Sequence, residues 1–195
     1  MGRLTAGLLA AVMLVGCVGT PDDEAPEDRS PDEHMPGLFA AGSIAFGPGD
    51  PIPRKHTCDG DNVSPQLEVI NVPEAARTVA LILGDPDVPT RLAPARNFTH
   101  WILWNAVPVR GLVEFPEGAP PAGAVEGNND AGEAGYRGPC PPQLLGRHRY
   151  VFTFFAVDST LDLAAGADRA ALERALDGHV VAQATLVGTY ERAAP

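Results

Sequence analysis

The sequence is poor in lysine, in aromatic residues and in charge of positive sign. Lys55 is the only lysine, and 14 basic residues stand against 25 acidic ones, which gives a formal net charge of −11. Binding to a phosphate backbone needs clustered basic residues, so nucleic acid is excluded as an expected partner. Aromatic residues make up only 6% of the chain, while 20 prolines and 21 glycines interrupt it. This composition disfavours a long helical bundle and favours a protein of strands and loops.

Sequence motifs of the common enzyme classes are also missing. The chain contains no GxSxG elbow, no HExxH pair, no phosphate-binding P-loop and no GxGxxG turn. Asp85, His100 and His148 would suit acid and base roles in a hydrolase, but no activated nucleophile or metal-ligand set accompanies them. The sequence therefore predicts a binding protein without a cofactor or metal, and a cryptic hydrolase is the lesser alternative.

The first 16 residues have the layout of an export signal. An apolar run over residues 4–15 follows Arg3 and is too short to span a bilayer. Cys17 comes directly after Leu-Val-Gly, which resembles a bacterial lipoprotein signal in which Cys17 is lipidated and becomes the mature N-terminus. An ordinary cleaved secretory peptide is the alternative. Val18 follows instead of Asp, so the resemblance favours an outer-membrane location in the cell envelope.

Residues 17–36 are expected to form the lipidated Cys17 and a solvated tether. The segment from 18 to 36 carries seven acidic residues and one arginine without apolar periodicity. The remaining residues, 37–195, suit a single domain with one core. Nearly half of the excess negative charge thus lies outside the expected domain.

Short apolar runs bounded by proline and glycine predict a mainly β domain. The expected strands cover residues 43–46, 66–69, 78–83, 100–107, 150–157 and 180–190. The runs at 77–84 and 149–158 are almost continuously apolar, which predicts the middle of a sheet. Asp168 as an N-cap and Gly178 as a stop predict a helix over 169–177. The long segment 116–146 is rich in glycine and proline and is expected to be a functional loop.

Polar residues concentrate at the ends of the expected strands. Asp85 ends one buried strand, and His100 and His148 begin two others, so the three side chains are expected to meet at one rim of the sheet. Two imidazoles, a carboxylate and the Gly138-Pro139 loop with its backbone N–H groups would suit a small anion.

Six motifs in order resemble one protein family. The segments CDGDNVSPQL, DPDVPT, FTHWILWNAVP, GPCPP, HRYVFTFFAVD and GHVVAQATLVGTY are similar to the phosphatidylethanolamine-binding protein family, in its bacterial Raf kinase inhibitor-like branch. The resemblance covers residues 44–190. It implies a β-sandwich with a large mixed sheet, a smaller sheet, few short helices and an anion pocket at one end of the large sheet.

The resemblance also implies a ligand set and a function. Ligands of the family include phosphate, acetate and phosphoryl head groups such as phosphorylethanolamine. The residues that match the pocket motifs are Asp85, His100, Gly138, Pro139, His148 and Tyr150, with Asp87 as a turn residue close by. A membrane-anchored binding protein is the first expectation, and a module that inhibits a protease or a kinase-type signalling partner is the alternative. Residues 143–147 depart from the family pattern, so the rim of the pocket is expected to be more apolar or differently shaped.

The two remaining cysteines are expected to pair. Cys58 and Cys140 form an even pair in an exported, oxidising setting, so a disulfide between them is plausible. Two free buried thiols are the alternative. A zinc site is a weaker one, because the spacing fits no zinc motif.

Overall fold

Strands dominate the residues that the computed structural model describes, which are 37–88 and 97–192 together with Gly2. The strands are β1 Ala40–Ser43, β2 Leu67–Ile70, β3 Thr78–Asp85, β4 Phe98–Ala106, β5 Val113–Phe115, β6 Val125–Glu126, β7 His148–Val157 and β8 Val180–Tyr190. One α-helix, α1, covers Arg169–Leu176, and a short 3-10 turn covers Arg54–His56. Apart from Gly2, the expected signal, Cys17 and the tether lie outside the described residues. Within the described part, no helix is long and apolar enough to cross a membrane.

The strands form two sheets. The larger has the order β6-β4-β3-β7-β8, and the smaller has the order β1-β2-β5. Strand pairing is antiparallel in both sheets, and a parallel contact occurs only as an isolated bridge between Pro51 and Thr189 among the described residues. The predicted mainly β sandwich is confirmed. The large sheet was expected to mix parallel and antiparallel pairing, and its only parallel contact among the described residues is that bridge.

Each face of the large sheet covers its own apolar core. One core fills the space between the two sheets, where the rings of Phe115 and Phe154 meet edge-on with centroids 5.3 Å apart. The other lies under α1 and includes Leu172 and Leu176 from the helix and Ile82 from β3. All eight residues of β3 are buried, as its continuous apolar run predicts for a central strand. Along β7, by contrast, every second residue between positions 149 and 155 is at least partly exposed.

The boundaries of several elements agree with the sequence patterns. β8 covers the predicted residues 180–190. The helix ends one residue before the predicted position and begins as predicted, because the carboxylate of Asp168 accepts the backbone N–H of Ala171 at 2.8 Å.

The first strand was predicted wrongly. It covers Ala40–Ser43 instead of residues 43–46. The hydroxyl of Ser43 donates to the carbonyl of Gln66 at 2.6 Å and accepts the backbone N–H of Ala45 at 3.1 Å. These bonds end the strand at the serine, because a short hydroxyl side chain satisfies the backbone in a turn. The short strands β5 and β6 were not predicted at all, and β6 lies within the segment 116–146 that was expected to be a loop.

Candidate functional site

Asp85 and His148 form a buried hydrogen-bonded pair where β3 ends and β7 begins. The two strands are antiparallel neighbours, so the end of β3 lies beside the start of β7. Nδ1 of His148 lies 2.8 Å from Oδ2 of Asp85, and each side chain is about 3% exposed. The other carboxylate oxygen accepts the backbone N–H of Asp87 at 2.8 Å. Both oxygens of Asp85 are therefore occupied, and the carboxylate fixes the orientation of the His148 ring.

A β-bulge brings His100 to the same side of the large sheet. The register of β4 against β3 shifts between positions 83 and 84, and His100 is the extra residue opposite this shift. Regular alternation would place His100 with Ile102 on the face that carries the helix. The bulge reverses its direction, and the His100 ring meets the ring of Tyr150 edge-on with centroids 5.2 Å apart. His100 thus joins the cluster on the face between the sheets.

The backbone of Arg137 determines the tautomer of His100. Nδ1 of His100 lies 2.8 Å from the carbonyl oxygen of Arg137, and the backbone N–H of Arg137 donates to the carbonyl of His100 at 2.9 Å. Because a carbonyl only accepts, Nδ1 carries the proton, and Nε2 of the neutral ring is an acceptor. Burial lowers the pKa of His100 below its usual 6.5, although the Arg137 carbonyl and the charge of Asp85 oppose this shift.

Tyr150 carries a buried hydroxyl without a hydrogen-bond partner in the described structure. Its side chain is fully buried, and its hydroxyl oxygen makes no hydrogen bond of good geometry, although the side chain of Asp85 and the backbone of Cys140 lie close to it. Burial, together with the negative charge and the nearby side-chain oxygens of Asp85, raises the pKa of Tyr150 well above its usual value of 10.0. The hydroxyl therefore stays protonated at neutral pH. An unsatisfied buried polar group costs about 1–3 kcal/mol, which makes this hydroxyl a candidate contact for a ligand.

The segment from Arg137 to Cys140 forms a wall beside these side chains. The backbone N–H of Gly138 donates to Oδ1 of Asn62 at 2.9 Å, and the carbonyl of Pro139 accepts the N–H of Cys58 at 3.1 Å. A Cβ atom on Gly138 would collide with the carbonyl oxygen of His56. Only glycine therefore lets the wall pack this closely against the loop that contains Cys58.

The expected donors of the Gly138-Pro139 backbone are not available. Proline has no N–H, and the N–H groups of Arg137 and Gly138 already bond to His100 and Asn62. The backbone of Cys140 lies close enough to the Tyr150 hydroxyl to influence its pKa. The wall therefore positions His100 and Tyr150, and its residues 137–139 leave no backbone N–H group free for a ligand.

The disulfide predicted as plausible is present. Cys58 and Cys140 are bonded, with their Cα atoms 5.4 Å apart. The bond joins the wall to the loop against which Gly138 packs. The alternatives of two free thiols and of a zinc site are therefore wrong for this structure.

Asp87 faces an arginine instead of the cluster. Its Oδ1 accepts Nη2 of Arg149 at 2.7 Å, and its Oδ2 accepts both Nε and the backbone N–H of Arg149 at 2.9 Å. The paired guanidinium lowers the pKa of Asp87. Asp87 therefore serves the turn after β3, which agrees with the turn role expected for it.

Two structural contributors to the site were not identified from the sequence. Asn62 accepts the N–H of Gly138 and has a φ of 56° in the turn of the motif CDGDN. Asn favours this left-handed conformation, so the turn signal was present although the partner was not predictable. Tyr136 donates its hydroxyl to the carbonyl of His56 at 2.6 Å, which is a second contact with the loop that contains Cys58.

Among the described residues, no group of three or more histidine, cysteine or acidic side chains is arranged to hold a metal ion.

Comparisons with known proteins point to one family. The family model for the phosphatidylethanolamine-binding protein matches residues 42–191. A protein of Pyrococcus abyssi from the UPF0098 group is 40% identical over 98% of this chain and 99% of its own length. A UPF0098 protein of Methanothermobacter thermautotrophicus is 46% identical over 76% of this chain and 95% of its own.

Solved structures of similar proteins have the same fold. The crystal structure of the phosphatidylethanolamine-binding protein homologue CT736 from Chlamydia trachomatis matches with a TM-score of 0.74 and 42% identity, over 80% of this chain and 99% of that one. The crystal structure of E. coli YbcL, a member of the mammalian PEBP family, matches with a TM-score of 0.72 and 28% identity, over 80% of this chain and all of that one.

Proposed function

The chain belongs to the phosphatidylethanolamine-binding protein family, and on this premise we propose that it binds a small anion or a phosphoryl head group beside Asp85, His100, His148 and Tyr150. The observation that carries the proposal is the buried hydroxyl of Tyr150, which has no partner in the described structure. A ligand oxygen that accepts this hydroxyl would remove the cost of leaving it unpaired.

The chemistry of the four side chains suits an oxygen-rich ligand. The hydroxyl of Tyr150 donates, and His148 donates through Nε2 whenever its ring is cationic, because Asp85 holds its Nδ1 proton. No described residue bonds to Nε2 of either histidine. The site therefore offers both donors and acceptors within a buried setting, where hydrogen bonds are strong.

We propose binding instead of catalysis for this site. The Asp85–His148 pair has the geometry of an oriented base, which a hydrolase would use to activate a nucleophile. The serines among the described residues bond elsewhere: Ser43 to Gln66, Ser64 to Gly118 and Ser159 to His179. Cys58 and Cys140 are joined in the disulfide. A panel of ester and phosphoester substrates at high protein concentration tests this, and turnover that Asp85→Asn abolishes would contradict it.

We also propose that the protein is anchored in the cell envelope through lipid on Cys17. The support is the sequence alone, in which Cys17 follows an apolar run and Leu-Val-Gly. Labelling with palmitate in a bacterial host should modify the full chain, and Cys17→Ser should abolish the label and move the protein to the soluble fraction. Equal labelling of both chains would contradict the anchor.

The binding proposal is tested by calorimetry on the full chain in detergent. Inorganic phosphate and phosphorylethanolamine are each titrated into the wild type, into His100→Ala and into His179→Ala. His179 is exposed and pairs with Asp158, so it is the matched control. We expect saturable binding that His100→Ala weakens severalfold and that His179→Ala leaves unchanged. Equal affinity of all three chains would contradict the site.

A protein-interaction module is the second candidate, and an exposed apolar pair favours it. Leu144 is 83% exposed and Leu145 is 51% exposed, in the loop that leads to His148. Exposed apolar side chains next to a site are typical of an interaction surface. Replacing both leucines with serine should then abolish capture of a partner from envelope extract, while phosphate affinity stays as in the wild type.

A further inference from the structure

A second cavity lies beside β6, and the proposed function does not use it. It has a volume of about 270 Å³ and is lined by the turn at 62–64, the loop at 118–120, Glu126 of β6 and the segment 134–136, together with Trp101 of β4. None of the four side chains proposed to contact an anion lines it. This space, the β6 cavity, therefore requires a ligand chemistry of its own.

Glu126 is the single charged residue among the described residues that line the β6 cavity. Its Oε1 accepts the indole N–H of Trp101 at 2.8 Å, and Trp101 is only 1% exposed. The backbone of Glu126 is also fixed, because it pairs with Leu103 in the large sheet and its carbonyl accepts the N–H of Gly166 at 3.0 Å. The carboxylate is therefore held in one orientation before any ligand arrives.

A glycine leaves this carboxylate open on the cavity side. A Cβ atom on Gly135, which also lines the β6 cavity, would lie 3.3 Å from Oε1 and 3.5 Å from Oε2 of Glu126. The space that a side chain would fill is thus next to both oxygens. No described residue bonds to Oε2, so this oxygen can accept a hydrogen bond from a ligand.

The negative charge of Glu126 has no cationic partner among the described residues, none of which forms an ion pair with it. Lys55 and Arg137, in the adjoining segments, are instead paired with Glu117 and Glu133. The chain as a whole carries a formal net charge of −11, which also attracts cations. The charge of the β6 cavity therefore favours a positive ligand and disfavours an anion.

The remaining walls of the β6 cavity suit an apolar stem. Val63, Ala119 and Pro120 contribute aliphatic surface, and the rings of Trp101 and Tyr136 meet edge-on with centroids 5.6 Å apart.

The other polar side chains of the cavity already have partners in the protein. The hydroxyl of Tyr136 donates to the carbonyl of His56, and that of Ser64 accepts the N–H of Gly118 at 3.1 Å. One carboxylate on an otherwise largely apolar and aromatic surface matches a cation with a hydrocarbon part.

We propose that the β6 cavity binds a small organic cation that has N–H donors on an apolar stem, such as an alkylammonium ion. The ammonium donates to Oε2 of Glu126 in a charge-assisted hydrogen bond, and the stem packs against Val63 and Pro120. The fixed carboxylate lowers the cost of ordering the site on binding. The proposal is independent of anion binding by the candidate site, and either can fail without the other.

The two tryptophans provide a built-in probe for this site. The chain contains only Trp101 and Trp104, so the ¹⁵N-labelled full chain in detergent gives two indole N–H signals in an NMR spectrum. Trp101 donates to Glu126, whereas Trp104 lies in the core under α1. Butylamine at pH 7 is titrated into the sample. We expect the Trp101 signal to move saturably, with a dissociation constant on the order of millimolar for so small a ligand, while the Trp104 signal stays in place.

Two control ligands separate charge, N–H donors and the apolar stem. Butanol has a stem of the same length without charge, and tetramethylammonium has the charge without an N–H group. We expect butanol to bind at least about tenfold more weakly than butylamine, and tetramethylammonium to bind severalfold more weakly. Equal affinity of butanol and butylamine would overturn the proposal, because the cavity would then select only apolar surface.

Two variants assign the binding to one carboxylate. In Glu126→Gln the amide oxygen can still accept the N–H of Trp101 while the charge is removed. We expect the affinity for butylamine to fall at least about tenfold in this variant and to stay unchanged in Glu133→Gln, which removes an exposed charge from the same loop. Equal affinity of the wild type and Glu126→Gln would overturn the assignment. If Glu126→Gln does not fold, the comparison of butylamine with butanol on the wild type still decides the question.

A further ligand identifies the source of the ammonium group. Nα-acetyl-lysine N-methylamide carries the same four-carbon stem on a peptide backbone. Binding of both amines supports the site and extends it to lysine side chains of a partner, whereas binding of butylamine alone supports the site and restricts it to free amines. No saturable movement of the Trp101 signal with either amine would overturn the proposal and leave the proposed anion site untouched.

Discussion

Nδ1 of His148 and Oδ2 of Asp85 lie 2.8 Å apart at a point where both side chains are almost fully buried. The pair joins the end of β3 to the start of β7, and the second oxygen of Asp85 holds the turn at Asp87. The carboxylate of Asp85 therefore links β3 to β7 and to the turn at Asp87. Loss of a partner for a buried charge is costly, which makes this pair a point of high structural sensitivity.

The variant Asp85→Asn tests this sensitivity. The amide can accept only through its oxygen, so one of the two donors, from His148 or from the backbone of Asp87, loses its partner. We expect the free energy of unfolding to fall by about 1–3 kcal/mol, measured by urea denaturation. Asp87→Asn is the matched control, because its partner Arg149 is largely exposed, and it should cost less than about 1 kcal/mol. Equal losses in the two variants would contradict the account.

The disulfide should contribute to both stability and binding. It closes a loop with a sequence separation of 82 residues, for which the loop-entropy model gives about 4 to 5 kcal/mol before native strain is deducted. We expect Cys58→Ser/Cys140→Ser to unfold at lower urea concentration than the wild type. Phosphate affinity should also fall, because the wall that positions His100 and Tyr150 is no longer joined to its supporting loop. Unchanged affinity in a folded double variant would show that the wall positions itself without the bond.

The pH dependence of stability should report the burial of His100. Its pKa in the folded state is lowered by burial, so the folded state disfavours the cation, while the unfolded chain binds a proton near 6.5. The contribution of His100 is therefore fully present above about pH 6.5 and is lost as the pH falls toward its folded pKa.

Urea denaturation at about pH 7.5 and about pH 5.5 checks this prediction. The wild type should lose more stability between these values than His100→Gln, which has no proton to bind. His179→Gln, at an exposed position, should keep the wild-type dependence. The same pH dependence in His100→Gln as in the wild type would contradict the assignment.

Much of the fold was predictable because the local sequence patterns, such as apolar runs and helix caps, agree with the way the elements pack. The apolar run of β3 indicated a strand buried on both faces, and Asp168 and Gly178 marked the ends of the helix closely. The first strand was not predictable in the same way, because its bounds depend on bonds from Ser43 to a distant strand and a following turn.

The clustering of Asp85, His100 and His148 was predictable, whereas the geometry of the cluster was not. The strand ends brought Asp85 and His148 together as expected from their positions. The direction of His100 depends on a bulge, which is set by the pairing of two strands and has no local sequence signal. Likewise, the unpaired state of the Tyr150 hydroxyl follows from its whole surroundings and cannot be derived from the motif around it.

The most direct measurement compares Tyr150→Phe with Tyr190→Phe for both stability and phosphate affinity. Each change removes one hydroxyl, but that of Tyr190 donates to Asp59 at 2.8 Å, whereas that of Tyr150 has no partner in the described structure. We predict that Tyr150→Phe leaves the free energy of unfolding unchanged or raises it by about 1 kcal/mol, and weakens phosphate binding about tenfold. Tyr190→Phe should instead lower stability and keep the affinity. Lower stability with unchanged phosphate affinity in Tyr150→Phe would contradict the account, because the hydroxyl would then serve the fold and not a ligand.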